Sequence, residues 1–423
     1  MATTLESIQT ISLTIDGRQV SVPAGTTIWD AARELGIEIP VLCHDPRLRP
    51  VGVCRMCVVD VGERVLAASC VREAADGMTV QTNSEKVDGC RRTLTELLLS
   101  DYPEESLRDS TTGDDLLLQL ARGYGIDRLQ LALPAGNGRT QDFSSHVIAV
   151  DHAACILCDR CIRACDEVQH NDVIGRTGKG YQAAISFDLN VPMGESTCVA
   201  CGECAAVCPT GALTNKTLTV PIRPRDQLHA VDSVCPYCGV GCAITYHIDS
   251  ASNNVVFAEG RESPGSDSRL CVKGRYGFDY ARHPQRLTVP LIRREEFYPK
   301  GPLSTEVKGE RKRKPGGLVD YEEVLPAFRE ASWDEALDLV AARLKGIKQE
   351  HGSDALAGFG SAKCSNEEAY LFQKLVRAVF GTNNVDHCTR LCHASSVAAL
   401  LETIGSGAVT NVFSDVENAD VAL

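Results

Sequence analysis

The chain has 423 residues, 43% hydrophobic and 23% charged, and carries a formal net charge of -13. That length allows two to four domains, the composition is that of a globular protein, and the acidic balance argues against nucleic acid as a partner. Twenty cysteines are the unusual feature, and most fall in C-x2-C groups, which suit metal binding better than disulfides in so long a chain. Met1 to Thr10 contains no Lys or Arg and no apolar stretch, so no export signal is read there. No apolar run approaches the roughly 18 residues of a membrane span. A protein of the reducing cytoplasm, with no direct membrane insertion, is expected.

Residues 10–22 read TISLTIDGRQVSV. Two alternating segments flank Asp16-Gly17, which predicts a β-hairpin with a tight turn. In TTIWDAARELG, Ile28, Ala31, Ala32 and Leu35 recur at helical spacing; Thr26 or Thr27 can cap the start and Gly36 the end. Hairpin, helix and a cysteine-bearing loop suggest a small β-grasp domain over residues 1–83. Residues 84–150, with TLTELLLSDYP and DDLLLQLARGYG, read as a helical connector holding only Cys90. Residues 151–225 are compact and cysteine-rich, and a further cysteine domain spans 229–290. Residues 291–332 read as a charged linker. Its run Arg311-Lys312-Arg313-Lys314 before Pro315-Gly316-Gly317 suits a solvated loop better than a nucleic-acid contact. Over 333–423 the pattern is α/β: WDEALDLVAARLKGIKQEHG predicts an amphipathic helix and ALAGFG a short buried strand. The fold class is therefore multidomain, α+β first and α/β last.

Sixteen cysteines form four sets. Cys43, Cys54, Cys57 and Cys70 make C-x10-C-x2-C-x12-C, four thiolates that suit a [2Fe–2S] cluster, with zinc as the alternative. Cys155, Cys158, Cys161 and Cys165 make C-x2-C-x2-C-x3-C, and Cys198, Cys201, Cys204 and Cys208 repeat it before Pro209. In this two-cluster ferredoxin pattern the fourth cysteine of each run serves the other cluster. One [4Fe–4S] cluster is then expected on Cys155, Cys158, Cys161 and Cys208, the other on Cys198, Cys201, Cys204 and Cys165. Asp166 follows Cys165 where the pattern has proline. Cys235, Cys238, Cys242 and Cys271, in CPYCGVGC…LCVKG, would alone allow a zinc ribbon; after three cluster motifs they are read as a third [4Fe–4S] set. Several clusters in one chain make an electron-transfer wire.

CPYCGVGC…LCVKGRYG resembles the start of the molybdenum or tungsten bis-pterin oxidoreductases, and CSNEEAYLFQKLVRAVFGTNNVDHCTRLCHASSV resembles the formate dehydrogenases among them. The amino-terminal arrangement is similar to the catalytic subunit of cytoplasmic, NAD-linked formate dehydrogenases. The same modules resemble the large iron–sulfur subunit of respiratory NADH:quinone oxidoreductase. The resemblance implies that Cys392 ligates the metal of a Mo- or W-bis(pyranopterin guanine dinucleotide), and that His393 sits beside the reacting formate. It further implies that Lys273 lies between a cluster and a pterin, and that Cys388 is structural. Electrons from formate, oxidised to CO2, would leave through the clusters to a flavin- and NAD-binding partner subunit. No GxGxxG phosphate loop is evident in this chain. The rival expectation is a non-catalytic iron–sulfur subunit of a quinone-oxidoreductase or hydrogenase-type complex. There are two departures from the family pattern. An extra cluster held there by His and three Cys would fall on Tyr102, Ser106, Asp109 and Asp115, none of them a thiol or imidazole. And the catalytic domain would continue well beyond NADVAL, so the chain reads as an amino-terminal fragment ending in a strand. Cys90 and Cys364 match no set.

Overall fold

The computed structural model describes residues 9–126, 139–216, 224–297, 324–361, 363–408, 410–416 and 418–421. The basic run Arg311 to Lys314 lies outside them. Two compact units divide the chain: Met1–Cys235 with Val240–Asp279, and Pro236–Gly239 with Tyr280–Leu423.

The first unit opens on the hairpin. Strands β1 (Thr10–Ile15) and β2 (Arg18–Pro23) pair antiparallel. Asp16 and Gly17 both take positive φ, 48° and 79°, which matches the right-handed twist of the two strands. Helix α1 (Ile28–Glu34) is capped by Thr27, whose hydroxyl accepts from Asp30 N at 3.1 Å. Its Ile28, Trp29, Ala31 and Ala32 pack with Ile11, Leu13, Ile15 and Val22. Each large aliphatic chain so buried contributes about 1.5–3 kcal/mol. Two short strands, β3 (Val58–Val59) and β4 (Ala67–Ala68), pair antiparallel, and β5 (Thr79–Val80) joins β1 in parallel.

Helices α2 (Glu85–Leu99), α3 (Leu107–Thr111) and α4 (Leu116–Gly123) follow. Buried Arg91 pins α2 to the first domain by donating to Met56 O and Val58 O at 3.1 and 2.7 Å. Leu99, Tyr102, Leu117 and Ala121 enter one core with Ile148, Val150 and Leu213 of the next domain. That domain is built on β6 (Gln141–Asp142), β7 (Ile148–Asp151), α5 (Arg160–Arg163), β8 (Ile174–Thr177), β9 (Ala184–Phe187), α6 (Glu203–Val207) and β10 (Leu213–Asn215). Because β7 pairs with both β6 and β10, its sheet begins ahead of residue 151. The connector read over 84–150 is helical among the described residues only as far as Gly123. Cysteine spacing marks ligands; it does not mark the strand that precedes them. An antiparallel meander, β11 (His229–Val234), β12 (Ala243–Asp249) and β13 (Asn254–Gly260), leads to α7 (Val272–Tyr276).

In the second unit the two ends of the charged segment pair as Leu291–Arg293 with Phe328–Glu330. The helix Trp333–His351 is capped by Ser332 and ends at Gly352, but no side chain of it is buried. Gly358–Gly360 pairs in parallel with Val385–His387, and Phe359 is 82% exposed, so this strand is buried on one side at most. Asn418–Val421 form turn and coil rather than the expected strand. Among the described residues no helix is long and apolar enough to cross a membrane.

Candidate iron–sulfur and metal sites

The first cysteine set converges. Cys54 and Cys57 bracket a turn in which Arg55 has φ 60°. Such a conformation lets a two-residue spacer present both thiols to one side. Cys43 N lies 3.3 Å from Cys54 Sγ, and Cys57 Sγ lies 3.2 Å from Cys70 Sγ. Thiols of Cys54 and Cys70 donate to Cys43 and hold it well below the usual thiol range. The same contacts, with burial, push Cys54 and Cys70 up. Cys57 is lowered to about 7, chiefly by Cys70. Four thiols sharing protons at contact distance are a donor set that fits two irons, whose binding displaces those protons.

In the two ferredoxin runs, Leu157, Asp159, Ala200 and Gly202 all have positive φ. The chain therefore curls around its thiols and turns amides towards sulfur. Leu157 N donates to Cys155, Arg160 N to Cys158, Glu203 N to Cys201 and Ala200 N to Cys198, the last at 3.3 Å. Cys155, Cys158, Cys161 and Cys208 line one small cavity of about 10 Å³; these are the four that the crossed pattern assigns to one cluster. Cys204 feels Cys201, Cys198 and Cys165, its partners in the other set, and also Cys208 of the first. Burial pushes Cys155 up to about 11 and Cys158 to about 12, and Cys161 and Cys204 well above the ordinary thiol. Neutral buried thiols around a cavity fit iron, which takes them as thiolates. Among the described residues, no group of three or more His, Cys, Asp or Glu is closed around a single metal ion.

Residues that the spacing did not single out hold these loops in place. Gly202 is required twice over: its φ is +76°, and a Cβ there would fall 2.3 Å from Arg275 Cδ and Tyr276 Oη. Glu203 is fully buried and accepts from Leu270 N at 3.1 Å, Arg275 Nη2 at 2.5 Å and Arg47 Nη1 at 3.3 Å. It thereby joins the Cys201–Cys204 turn to the approach to Cys271 and to the loop after Cys43. Arg160 and Arg163, on either side of Cys161, are buried as well. The signal was present in DRCIRAC and CGEC: a charged residue inside a tight ligand run has little choice but burial, and a buried charge needs partners.

Cys235 N donates to Cys242 O at 2.9 Å, which closes the turn between β11 and β12. Cys242 packs on Ile244, Ala258 and Leu270, and Cys271 caps α7 in an extended conformation. Cys238 belongs to the second unit. Lys273 is exposed on the first turn of α7. Cys388, Cys392 and His393 are exposed in the second unit. Cys392 ends the short helix Thr389–Cys392, its N–H donating to Cys388 O at 3.1 Å. At His393 φ moves to -140°, separating that turn from the helix Ala394–Ile404. Cys90 is half-buried and Cys364 exposed.

Three of the four positions that depart from the family pattern meet. Tyr102 Oη and Ser106 Oγ donate to Asp115 Oδ2 at 2.5 and 2.7 Å, and Gly211 N donates to the same oxygen at 3.1 Å. Asp109 is apart, paired with Arg122 at 2.6 Å.

Comparison with known proteins assigns these regions. Residues 9–85 match the 2Fe-2S iron-sulfur cluster binding domain, and residues 145–214 match the ferredoxin-like domain of NADH-quinone oxidoreductase subunit 3. Residues 228–283 match the Fe4S4 domain of molybdopterin oxidoreductases, and residues 286–423 match the molybdopterin oxidoreductase domain itself. The chain is 32% identical over 415 residues to the NADPH-Fe(3+) oxidoreductase subunit alpha of Geobacter sulfurreducens (strain DL-1 / KN400), covering 98% of this chain and 44% of that one. It is 33% identical over 383 residues to an NADH-quinone oxidoreductase subunit of Rhizobium meliloti (strain 1021), covering 90% and 40%. It is 27% identical over 458 residues to a Staphylococcus aureus (strain USA300) protein provisionally named a formate dehydrogenase, covering 97% and 42%. The chain thus spans less than half the length of these curated relatives. In order, it carries a [2Fe–2S] domain, a ferredoxin-like [4Fe–4S] domain and, over residues 228–423, domains of the molybdopterin oxidoreductase family.

Proposed function

We propose that this chain is the iron–sulfur-bearing part of a formate dehydrogenase catalytic subunit of the cytoplasm. Formate is its substrate and CO2 its product, or the reverse, at a Mo or W centre carried by two pterin guanine dinucleotides. That group supplies the redox chemistry when bound. Cys392 is the protein ligand, a soft thiolate suited to a metal already bound by sulfur. His393 would assist charge or proton movement at formate, and Lys273 would supply a cation to the electron path between cluster and pterin. One [2Fe–2S] and three [4Fe–4S] clusters on the four sets of four cysteines carry electrons to a flavin- and NAD-binding partner subunit. The observation that carries this reading is the adjacent Cys392-His393 pair inside the stretch matched by the molybdopterin oxidoreductase domain. The name of the Staphylococcus aureus relative supports formate as substrate.

A second reading, a non-catalytic iron–sulfur subunit, is favoured by the ferredoxin-like match and by the name of the Rhizobium meliloti relative. Metal analysis and kinetics on the full-length protein separate the two. The first reading expects bound Mo or W and formate-dependent dye reduction. It expects Cys392→Ser to keep the iron–sulfur signals and nearly abolish kcat per bound metal, with Cys388→Ser keeping it. Full-length protein with all clusters but neither Mo nor W belongs to the second reading.

A further inference from the structure

The loop after Cys43 is clamped onto the ferredoxin domain. Arg160 Nη2 donates to His44 O, and Arg160 Nη1 donates to Val207 O at 3.1 Å. Arg163 Nη2 donates to Cys43 O at 2.5 Å, and its Nη1 donates to Arg49 O. Arg49 N donates to Glu167 Oε2 at 2.8 Å. Leu48, 3% exposed, inserts among Ala164, Val168 and Val207. Both arginines are 7% exposed. Among the described residues, Arg160 Nε, Arg163 Nε and both ring nitrogens of His44 are buried without a hydrogen-bond partner. Among the described residues, carbonyls alone satisfy the Arg160 fork, and no carboxylate pairs with it at contact distance. Burial pulls Arg160 below the usual guanidinium value; Cys158, Asp45, Cys208 and Cys43 act the other way. By geometry its fork joins the two ligand sets: one carbonyl partner, His44, follows Cys43, and the other, Val207, precedes Cys208.

We propose that Arg160 is the buried cation shared by the [2Fe–2S] cluster of Cys43, Cys54, Cys57 and Cys70 and the [4Fe–4S] cluster of Cys155, Cys158, Cys161 and Cys208, positioning and biasing the electron step between them. The proposal rests on those two ligand sets, but not on formate or on a molybdenum centre. In the step, one electron leaves the reduced [4Fe–4S] cluster, which returns from the 1+ to the 2+ level. The same electron lowers the [2Fe–2S] cluster from 2+ to 1+, and no proton moves. A fixed positive charge in a low-dielectric junction stabilises the more negative, reduced level of either cluster. The Arg160 fork ties His44, which follows Cys43, to Val207, which precedes Cys208, and so fixes the gap that the electron crosses.

The test is an EPR-monitored redox titration of the anaerobically purified, cluster-loaded protein. Arg160→Gln should lower the midpoint potentials of both clusters, each by roughly a tenfold fall in the equilibrium constant for reduction, or about 59 mV for one electron. The cluster of Cys165, Cys198, Cys201 and Cys204 should stay put, and Arg160→Lys should restore most of the shift. No shift, or an equal shift at all clusters, overturns the proposal. If Arg160→Gln does not retain iron, wild-type protein decides. The [2Fe–2S] signal should broaden when the neighbouring [4Fe–4S] cluster is reduced; Cys158→Ser should remove that broadening and Cys201→Ser should keep it. The opposite pattern overturns the adjacency. Failure of the ligand assignment itself is distinguishable, because wild-type protein would then lack the two signals from the outset.

Discussion

Asp115 is fully buried, yet each of its oxygens is occupied. Oδ2 receives Tyr102, Ser106 and Gly211, and Oδ1 receives Leu118 N at 3.1 Å, capping α4. Burial, and then Asp115 itself, push the Tyr102 phenol up, so it remains a donor. Removing the carboxylate strands several buried donors at once, each costing about 1–3 kcal/mol when left unpaired. Asp115→Ala is therefore expected to lower stability by about 3 kcal/mol or more in chemical unfolding. Asp109→Asn, which loses one pair with a half-exposed arginine, should stay within about 0.5 kcal/mol. Both proteins, where folded, should keep every cluster's EPR signal; loss of one signal in folded Asp115→Ala protein would reveal iron ligation at this site. The sequence alone reveals that no thiol or imidazole occupies these positions. It does not reveal that three of them meet while Asp109 turns away, because that depends on where the chain at Gly211 passes beneath α4.

At the scale of elements, the hairpin, α1 and the helix Trp333–His351 were readable because their signals are local: a turn dipeptide, a cap and a period. The clamp on β13 was not, because its partners come from three separate segments. His247 Nε2 lies 2.9 Å from Glu259 Oε2, Arg225 contacts the same carboxylate, and Arg225 also reaches Asp114 at 3.2 Å. His247 stacks on Phe257 with centroids 4.1 Å apart. Burial pushes the Glu259 carboxyl up, but the His247 hydrogen bond and Arg225 outweigh it and bring it down to about 2 from 4.5. A carboxyl depressed in the folded state contributes stability that is complete above its unfolded value and is lost as pH falls towards its folded one. The window is thus from about 4.5 down to about 2, and Asp114, also lowered, acts in the same direction. Glu259→Gln should be less stable than wild type at pH 7, and the gap should narrow as pH falls through this window. Thermal midpoints of the two proteins, compared at each pH so that common cluster loss cancels, would show a constant gap if the clamp carried no such linkage.

For the whole molecule, the cysteine sets matter as one folding problem. Their ligands run from Cys43 to Cys271, so each cluster ties distant segments together. Sequence spacing marks four sets of cysteines and leads one to expect the ligand crossing of the ferredoxin runs, since those are local patterns. It is silent on Glu203 and Arg160, which join one set to the next through tertiary contacts. In the ferredoxin runs, Cys155, Cys158, Cys161 and Cys204 are held neutral by burial, Cys158 as far up as about 12. Iron uptake must therefore displace protons, and the affinity gained adds directly to folding stability. One binuclear and three tetranuclear clusters require roughly 14 iron atoms per chain. Anaerobically purified protein should approach that ratio without stoichiometric zinc, and chelation of the iron should lower its unfolding midpoint by many degrees. Removing iron leaves the cavity lined by Cys155, Cys158, Cys161 and Cys208 without metal–thiolate bonds, so α5 and the residues around Pro209 keep only direct contacts such as Arg160 Nη1 to Val207 O. Roughly 18 iron atoms in fully loaded protein would mean a further cluster. The hydrogen-bonded Tyr102, Ser106 and Asp115 leave no thiol to hold one at that place. An unfolding midpoint insensitive to chelation would mean that the fold stands on its packed cores alone.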